Sequence, residues 1–415
     1  MTVSSDLSAK RKSNSKDIIE YILIIALYYV TGGAFSYSNY SMQIIVFFLV
    51  SLFVCIKYGG EKYALRASAV VPLTLMSFFV IIVPIFFNDS ISTYIAIIMQ
   101  LAIGLFCASV ISPESFKQKF INVITFFAGV SLIGFAIGMV LPGVALLFPM
   151  STVENSSVYY YNAGIYVFMR PKGYAYFLLT DRNAGICWEP GCYQAFLNLA
   201  LLFLLNEQEK KHQKHYYLKF IILSFTVITT VSTTGIIILF ILLLVYLKVW
   251  AERIKKGFVF IPIALLLLLW IFDSANFGQM IREKLMREFV EDNGFIDRIS
   301  LTKLSYFFSP DTGMPYLFGM SFSKWLTYDT EIWNSVIHSL LCLGTPFTLI
   351  HLTGYWKGSN LLVRKTGLLF IIMIMCASTE TLFWRVLFNT IAFYGWIYRQ
   401  PSESKKSTVQ QPLTI

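Results

Sequence analysis

One string in an otherwise apolar chain has the residue types for chemistry: Arg182-Asn-Ala-Gly-Ile-Cys-Trp-Glu-Pro-Gly191. It sets a guanidinium, a carboxylate and a Pro-Gly turn at the mouth of an apolar run that continues through Tyr193 to Leu205. Ionisable groups at the edge of a bilayer are costly, so their presence there marks a candidate functional site. A guanidinium suits bidentate capture of a phosphate or pyrophosphate. Glu189 reads two ways, as a base for an incoming hydroxyl or as a brace that fixes the helix entry or pairs with Arg182.

Other candidates cluster on either side of this string. Upstream lie Arg170 and Lys172, with Asp181 and the tyrosines Tyr159, Tyr160, Tyr161, Tyr166, Tyr174 and Tyr176. The cations read as anion ligands or as contacts to lipid phosphates and Asp181. The tyrosines read as sugar-stacking rings or as an interfacial belt. Downstream, Asp297-Arg298 begins a partly apolar helical stretch to Phe308, and Trp333, Asn334 and His338 enter a further apolar run. Asn334 and His338 are four apart and therefore share a helix face. His338 is either a general base or a hydrogen-bonded interior histidine. Glu380 and Arg385 read as a structural ion pair, or as an interface residue beside a snorkelling arginine. Cys187 and Cys192 lie close enough in sequence to pair in an oxidising compartment, although their spacing fits no common bridge or metal pattern.

The elements that must position these groups are membrane spans. Hydrophobic residues make up 56% of the 415 and charged residues only 13%, against about 25% charged in soluble domains. Twelve apolar stretches are long enough to cross a bilayer: 18–35, 41–57, 68–87, 91–111, 120–147, 187–205, 216–231, 234–250, 257–272, 331–353, 366–382 and 384–399. Alternate connecting segments hold 23 of the 33 lysines and arginines. That bias places both termini in the cytoplasm and argues against nucleic acid as the reason for the net charge of +10. The expected organisation is a basic tail over 1–16, disordered by composition, a single transmembrane domain over 17–400, and a short cytoplasmic tail over 401–415. Two long extracytoplasmic segments, about 148–186 and 273–330, carry the candidate chemistry. No phosphate-binding glycine loop, dinucleotide fingerprint or zinc motif is present in the sequence.

Arg182-x-x-Gly185-x-x-x-Glu189-Pro190-Gly191 before an apolar helix resembles the signature of the O-antigen polymerase and O-antigen ligase superfamily. Ser232-Thr-Thr-Gly235, Arg298 followed by Leu317-Phe-Gly319, and Trp333-Asn-Ser335 entering a span that reaches Gly344 are similar to further family motifs in the same order. The resemblance implies an all-α, GT-C-like membrane glycosyltransferase of the bacterial inner membrane. It implies donor and acceptor glycans on undecaprenyl pyrophosphate, a polyprenyl pyrophosphate leaving group, and no metal or cofactor. Arg182, Glu189, Arg298 and His338 are then the candidates for chemistry. Arg170, Lys172, Tyr193 and Asn334 are the candidates for substrate contact. A chain-length regulator, a flippase and membrane lipids are the expected partners.

Two departures bear on the choice within the superfamily. Trp333 stands where ligases carry histidine, which favours a polymerase, and no glycine lies eleven residues after Arg170, Arg182 or Arg298. The alternatives are a ligase acting on lipid A-core and a transporter of lipid-linked oligosaccharide. Transporters usually show internal repeats and mid-membrane polar residues, whereas the polar residues here gather at one face.

Overall fold

Ser112 accepts a hydrogen bond from Ser115 N and is followed by proline at the first helical position. These two features start a helix at Pro113, and Pro142 ends it after Val140. The expected span 120–147 is therefore shifted towards the N-terminus, and Lys117 and Lys119, expected in a loop, fall inside the helix. The computed structural model describes residues 2–35, 40–59, 67–152, 157–173, 179–208, 215–253, 315–323, 334–363 and 367–398.

Among these residues the helices are α1 (Thr2–Gly32), α2 (Tyr40–Tyr58), α3 (Ala67–Phe87), α4 (Ile91–Val110), α5 (Pro113–Val140), α6 (Pro190–Gln208), α7 (Tyr216–Thr229), α8 (Thr233–Arg253), α9 (Ser335–Leu362), α10 (Leu368–Thr379) and α11 (Val386–Ile397). A single helical turn covers Pro315–Phe318. The basic tail expected to be disordered is helical from Thr2.

Among the described residues five helices, α2, α3, α4, α5 and α9, are long and apolar enough to cross a membrane. Helices α10 and α11 have 12 residues each, roughly 18 Å at 1.5 Å per residue, against a hydrocarbon core of about 30 Å. Gly367, in a left-handed conformation, starts α10, and extended residues at Glu380 and Arg385 separate it from α11. The two expected spans, 366–382 and 384–399, are thus each shortened to 12 helical residues on either side of this reversal. The expected span 257–272 lies outside the described residues.

Helix α6 is the centre of the bundle. Every side chain from Cys192 to Asn206 is buried, as expected for a helix apolar on all sides. Its polar residues satisfy one another in part: Asn198 Nδ2 donates to Gln194 Oε1 at 2.9 Å and to Gly235 O at 3.2 Å. The periphery is the reverse. Ile45, Leu49, Phe53 and Ile56 on α2, Phe78 and Ile85 on α3, and Phe126 and Ile133 on α5 are exposed, an apolar surface far larger than soluble monomers leave uncovered.

Connections fall at two ends of the bundle, and contacts form within each end. At the basic end, Lys119 pairs with Glu20 at 2.7 Å, Lys117 with Glu207 at 2.7 Å, and Lys219 donates to Asn122 Oδ1 at 2.7 Å. At the other, called here the loop end, segments around residues 33, 89, 182–190, 230, 320 and 380–385 meet. Segments that the charge alternation assigns to one side are thus neighbours in space.

The Lys117–Glu207 pair joins α5 to α6 with both side chains almost fully out of water. Removing one partner leaves an uncompensated buried charge, which costs about 3–5 kcal/mol. Lys117→Met is expected to lower the thermal stability of the detergent-solubilised protein accordingly, and Lys117→Met/Glu207→Met to recover most of the loss. Equal destabilisation in the single and double variants would show that the pair is not coupled.

The first long segment is not the plain loop that an all-α reading expects. It holds a three-stranded antiparallel sheet, β1 (Met150–Thr152), β2 (Val158–Asn162) and β3 (Val167–Pro171), with Tyr159 opposite Arg170 and Tyr161 opposite Phe168. The alternation is visible in burial. Val167 and Met169 join the main core, while Phe168 joins a smaller cluster with Tyr161, Tyr166 and Ala145. Runs of tyrosine and β-branched residues favour a pleated surface.

Candidate functional site

The Arg182–Gly191 string crosses the loop end as a series of turns and bends stitched to three elements by four hydrogen bonds. Val167 N of β3 donates to Gly185 O at 2.8 Å, Ala34 N, just beyond α1, to Ile186 O at 2.8 Å, and Trp188 N to Gly32 O at 3.1 Å. Asn183 N donates to Thr229 O at 2.9 Å. With its backbone groups satisfied in this way the segment has a defined path, and its side chains inherit that definition.

Asn183 organises the centre. Its amide nitrogen donates to Ser131 Oγ (3.2 Å) and Thr229 Oγ1 (3.1 Å), and its Oδ1 accepts from Gly185 N (3.0 Å). Ser131 Oγ gives its single proton to Ala128 O, so the 2.8 Å contact with Tyr193 is donated by the Tyr193 hydroxyl. Tyr193 is fully buried. Its ring lies against Gly185, whose φ of +57° and contact distance of 2.6 Å from a virtual Cβ to Tyr193 Cζ both require glycine. The Arg-x-x-Gly spacing therefore has a folding reason, and Tyr193, expected to touch substrate, acts as the brace of this turn.

Arg182 is half-buried, and its Nε donates to Thr230 O at 3.2 Å, at the C-terminal end of α7. It lines a small cavity with Tyr166, Phe168, Leu179 and Phe135 that has room for about one water molecule. Burial pushes the Tyr166 phenol above its ordinary range, which keeps it neutral. Lys172 extends over the Tyr159 ring at 5.5 Å, next to Arg170 on the sheet. Glu189 is half-buried at the entry to α6, its backbone oxygen accepting from Tyr193 N at 3.1 Å. No ion pair joins it to Arg182 among the described residues, which removes that version of the brace.

Asn334 and His338 belong to the same end but to another cluster. Asn334 Oδ1 caps α9 by accepting from Val336 N and Ile337 N, both at 3.1 Å. The His338 ring packs edge-on against Phe322 (5.2 Å) and Trp384 (5.4 Å). Its Nδ1 is buried without a hydrogen bond, so the imidazole lacks the orienting partner typical of a catalytic base. Arg298 and Trp333 lie outside the described residues.

Asp89 was not singled out from sequence, and Glu380 and Arg385 were singled out with other partners than those they take. Asp89 anchors the segment before 324: Ser323 donates to it through both N and Oγ, and Tyr94 OH donates to Asp89 Oδ2 while accepting from Phe322 N. Partial burial works the other way, but the hydrogen bonds from Ser323 and Tyr94 hold the Asp89 carboxyl below the usual carboxylate range. The expected Glu380–Arg385 ion pair is absent. The Glu380 carboxylate instead packs over Gly191 in the first turn of α6, in space that a side chain at 191 would fill. Arg385 lies over the rings of Tyr40 (4.5 Å) and Trp188 (5.3 Å). All six cysteines are free and buried, Cys187 and Cys192 included. No group of three or more His, Cys, Asp or Glu able to hold a metal occurs among the described residues.

Compared with known proteins, the chain matches no family model, no curated protein and no solved structure.

Proposed function

We propose that this protein joins lipid-linked oligosaccharide repeat units at the loop end, with polyprenyl pyrophosphate as leaving group, as an O-antigen polymerase does. On this reading the chain crosses the bacterial inner membrane twelve times in a GT-C-like arrangement with both termini cytoplasmic, and the loop end faces the periplasm. One observation carries the proposal: Arg182 is fixed at the edge of an apolar bundle by a segment hydrogen-bonded on all sides, over a helix that is the core of the fold. Preorganised cations are what departure of a pyrophosphate requires. Arg182 would neutralise the leaving group together with Arg298. Arg170 and Lys172 on the sheet would attract the same anion, and Glu189 or His338 would take the proton of the acceptor hydroxyl. A chain-length regulator and a flippase would act beside it.

Transport is the second reading, favoured by Gln194 and Asn198 within the bundle, whose Nε2 and Oδ1 are buried without hydrogen bonds. Reconstitution of the full chain with synthetic undecaprenyl-pyrophosphate repeat units separates the readings. A product ladder without added nucleotide or metal supports polymerisation, and transfer only to lipid A-core supports a ligase. Movement of intact lipid-linked oligosaccharide between leaflets without new glycosidic bonds would sink both transferase readings.

A further inference from the structure

Arg385 precedes α11 as its N-cap residue. The N-terminus of a helix carries positive potential, so a cation there is disfavoured and an anion favoured. Helix caps are usually Ser, Thr, Asp or Asn, and this position holds a guanidinium instead. The side chain is also held in place: its Nε donates to Thr381 O at 3.1 Å, and its plane carbon lies 4.5 Å from the Tyr40 ring centre and 5.3 Å from that of Trp188.

What the guanidinium lacks is an anion. No carboxylate lies within ion-pair distance of Arg385 among the described residues. Glu380, which sequence offers as its counter-ion, is turned towards Gly191. Beside Arg385 the buried Tyr40 hydroxyl oxygen faces the guanidinium, which can only donate to it, so the Tyr40 proton has no acceptor among the described residues. A half-buried cation with both terminal nitrogens outside any ion pair, an idle hydroxyl donor and the positive end of a helix all call for the same thing, an oxyanion with several acceptor oxygens. Trp188 is the residue before Glu189, so this cluster adjoins the Arg182–Gly191 string.

We infer that Arg385, with the Tyr40 hydroxyl and under the Trp188 ring, binds a phosphate ester at the loop end of the bundle. A guanidinium lying on aromatic faces loses little freedom on binding, and its two outer nitrogens match two phosphate oxygens. The ester has two sources: the diphosphate of a polyprenyl-linked substrate or the headgroup of a membrane phospholipid. Assigning it to the substrate rests on the glycosyl-transfer reading above, whereas the site itself does not.

The test uses the full chain in a maltoside detergent, which carries no phosphate. Wild-type protein is treated with an arginine-specific dicarbonyl alone or with inorganic pyrophosphate, undecaprenyl pyrophosphate or phosphatidylglycerol, and modification of Arg385 is read by peptide mass spectrometry. Protection by the pyrophosphates, with undecaprenyl pyrophosphate effective at least tenfold below phosphatidylglycerol, supports the site and a substrate source. The reverse order supports the site and a phospholipid source. Unchanged modification of Arg385 with all three probes overturns the inference. In parallel, Arg385→Gln is expected to weaken undecaprenyl pyrophosphate binding at least tenfold and Arg385→Lys to weaken it less. Equal affinity in wild type and Arg385→Gln overturns it as well. Protection of Arg385 in a protein that makes no polymer would remove the polymerase reading and leave the site standing.

Discussion

Gly344→Ala is expected to leave no stably folded protein in the membrane fraction. Gly344 interrupts α9 with φ 84° and ψ 170°, a region of backbone space open essentially to glycine alone. A Cβ there would fall 2.5 Å from Leu317 O and 3.0 Å from Gly319 N, backbone atoms that cannot swing aside. Gly319, at φ +77°, makes the reciprocal approach to the backbone of Cys342, and Met320 N donates to Leu341 O at 2.6 Å between them. The left-handed conformation costs about 1–3 kcal/mol and overpacking a further 1–3 kcal/mol or so. Together these come to about 2–6 kcal/mol, which reaches the lower end of the stability of a typical domain, about 5–15 kcal/mol. Fluorescence-detected size-exclusion of a tagged protein reads the outcome. A monodisperse peak with wild-type melting temperature for Gly344→Ala would show that the two backbones do not meet in this way. Gly129→Ala is the control, because no atom lies within 4 Å of its virtual Cβ.

Arg182→Ala is expected to slow glycosyl transfer by about 10²–10³-fold, the typical loss when one preorganised charge-stabilising group is removed from a transition state. The effect should fall on kcat more than on KM, because the charge on a leaving pyrophosphate grows as the bond breaks. The variant should still fold, since Arg182 is half-exposed at the edge of the bundle and the hydrogen bond it gives up to Thr230 O is worth about 1 kcal/mol. Arg182→Lys keeps the charge and loses the planar fork, and should recover only part of the rate. Product chains of normal length and yield from Arg182→Ala would remove this residue from the site. Asn183→Ala makes a contrasting case. It breaks the bonds to Ser131, Thr229 and Gly185 N, so it should lower stability and rate together.

Both expectations concern motifs visible in sequence, for different reasons. Arg182 was conspicuous because a charge among apolar residues is costly and few interactions justify it. Gly319 and Gly344 were visible only as letters in separated strings, and nothing local states that the two backbones touch. Tyr193 and Asn334 show the same limit. Both are polar residues near the candidate chemistry, yet one braces Gly185 through Ser131 and the other caps α9. Side-chain type restricts the bonds a residue can make, and only the fold decides which partner takes them.

The sequence by itself determined the class of protein, since apolar runs of span length and segregated lysines and arginines follow from the free energy of burying surface in lipid. It also gathered the candidate residues at one face, and the described ones, Arg182, Glu189, Asn334 and His338, do lie at one end of the molecule. Tertiary structure alone decided that α6 is the buried centre rather than one span among many, because hydropathy cannot distinguish a helix facing lipid from one facing other helices. It alone placed a sheet in the first long segment and shortened the two spans within 366–399 to 12 residues each. It alone parted Glu380 from Arg385, sending one to Gly191 and the other to Tyr40 and Trp188. Such contacts join residues hundreds of positions apart, where periodicity and composition carry no information about distance.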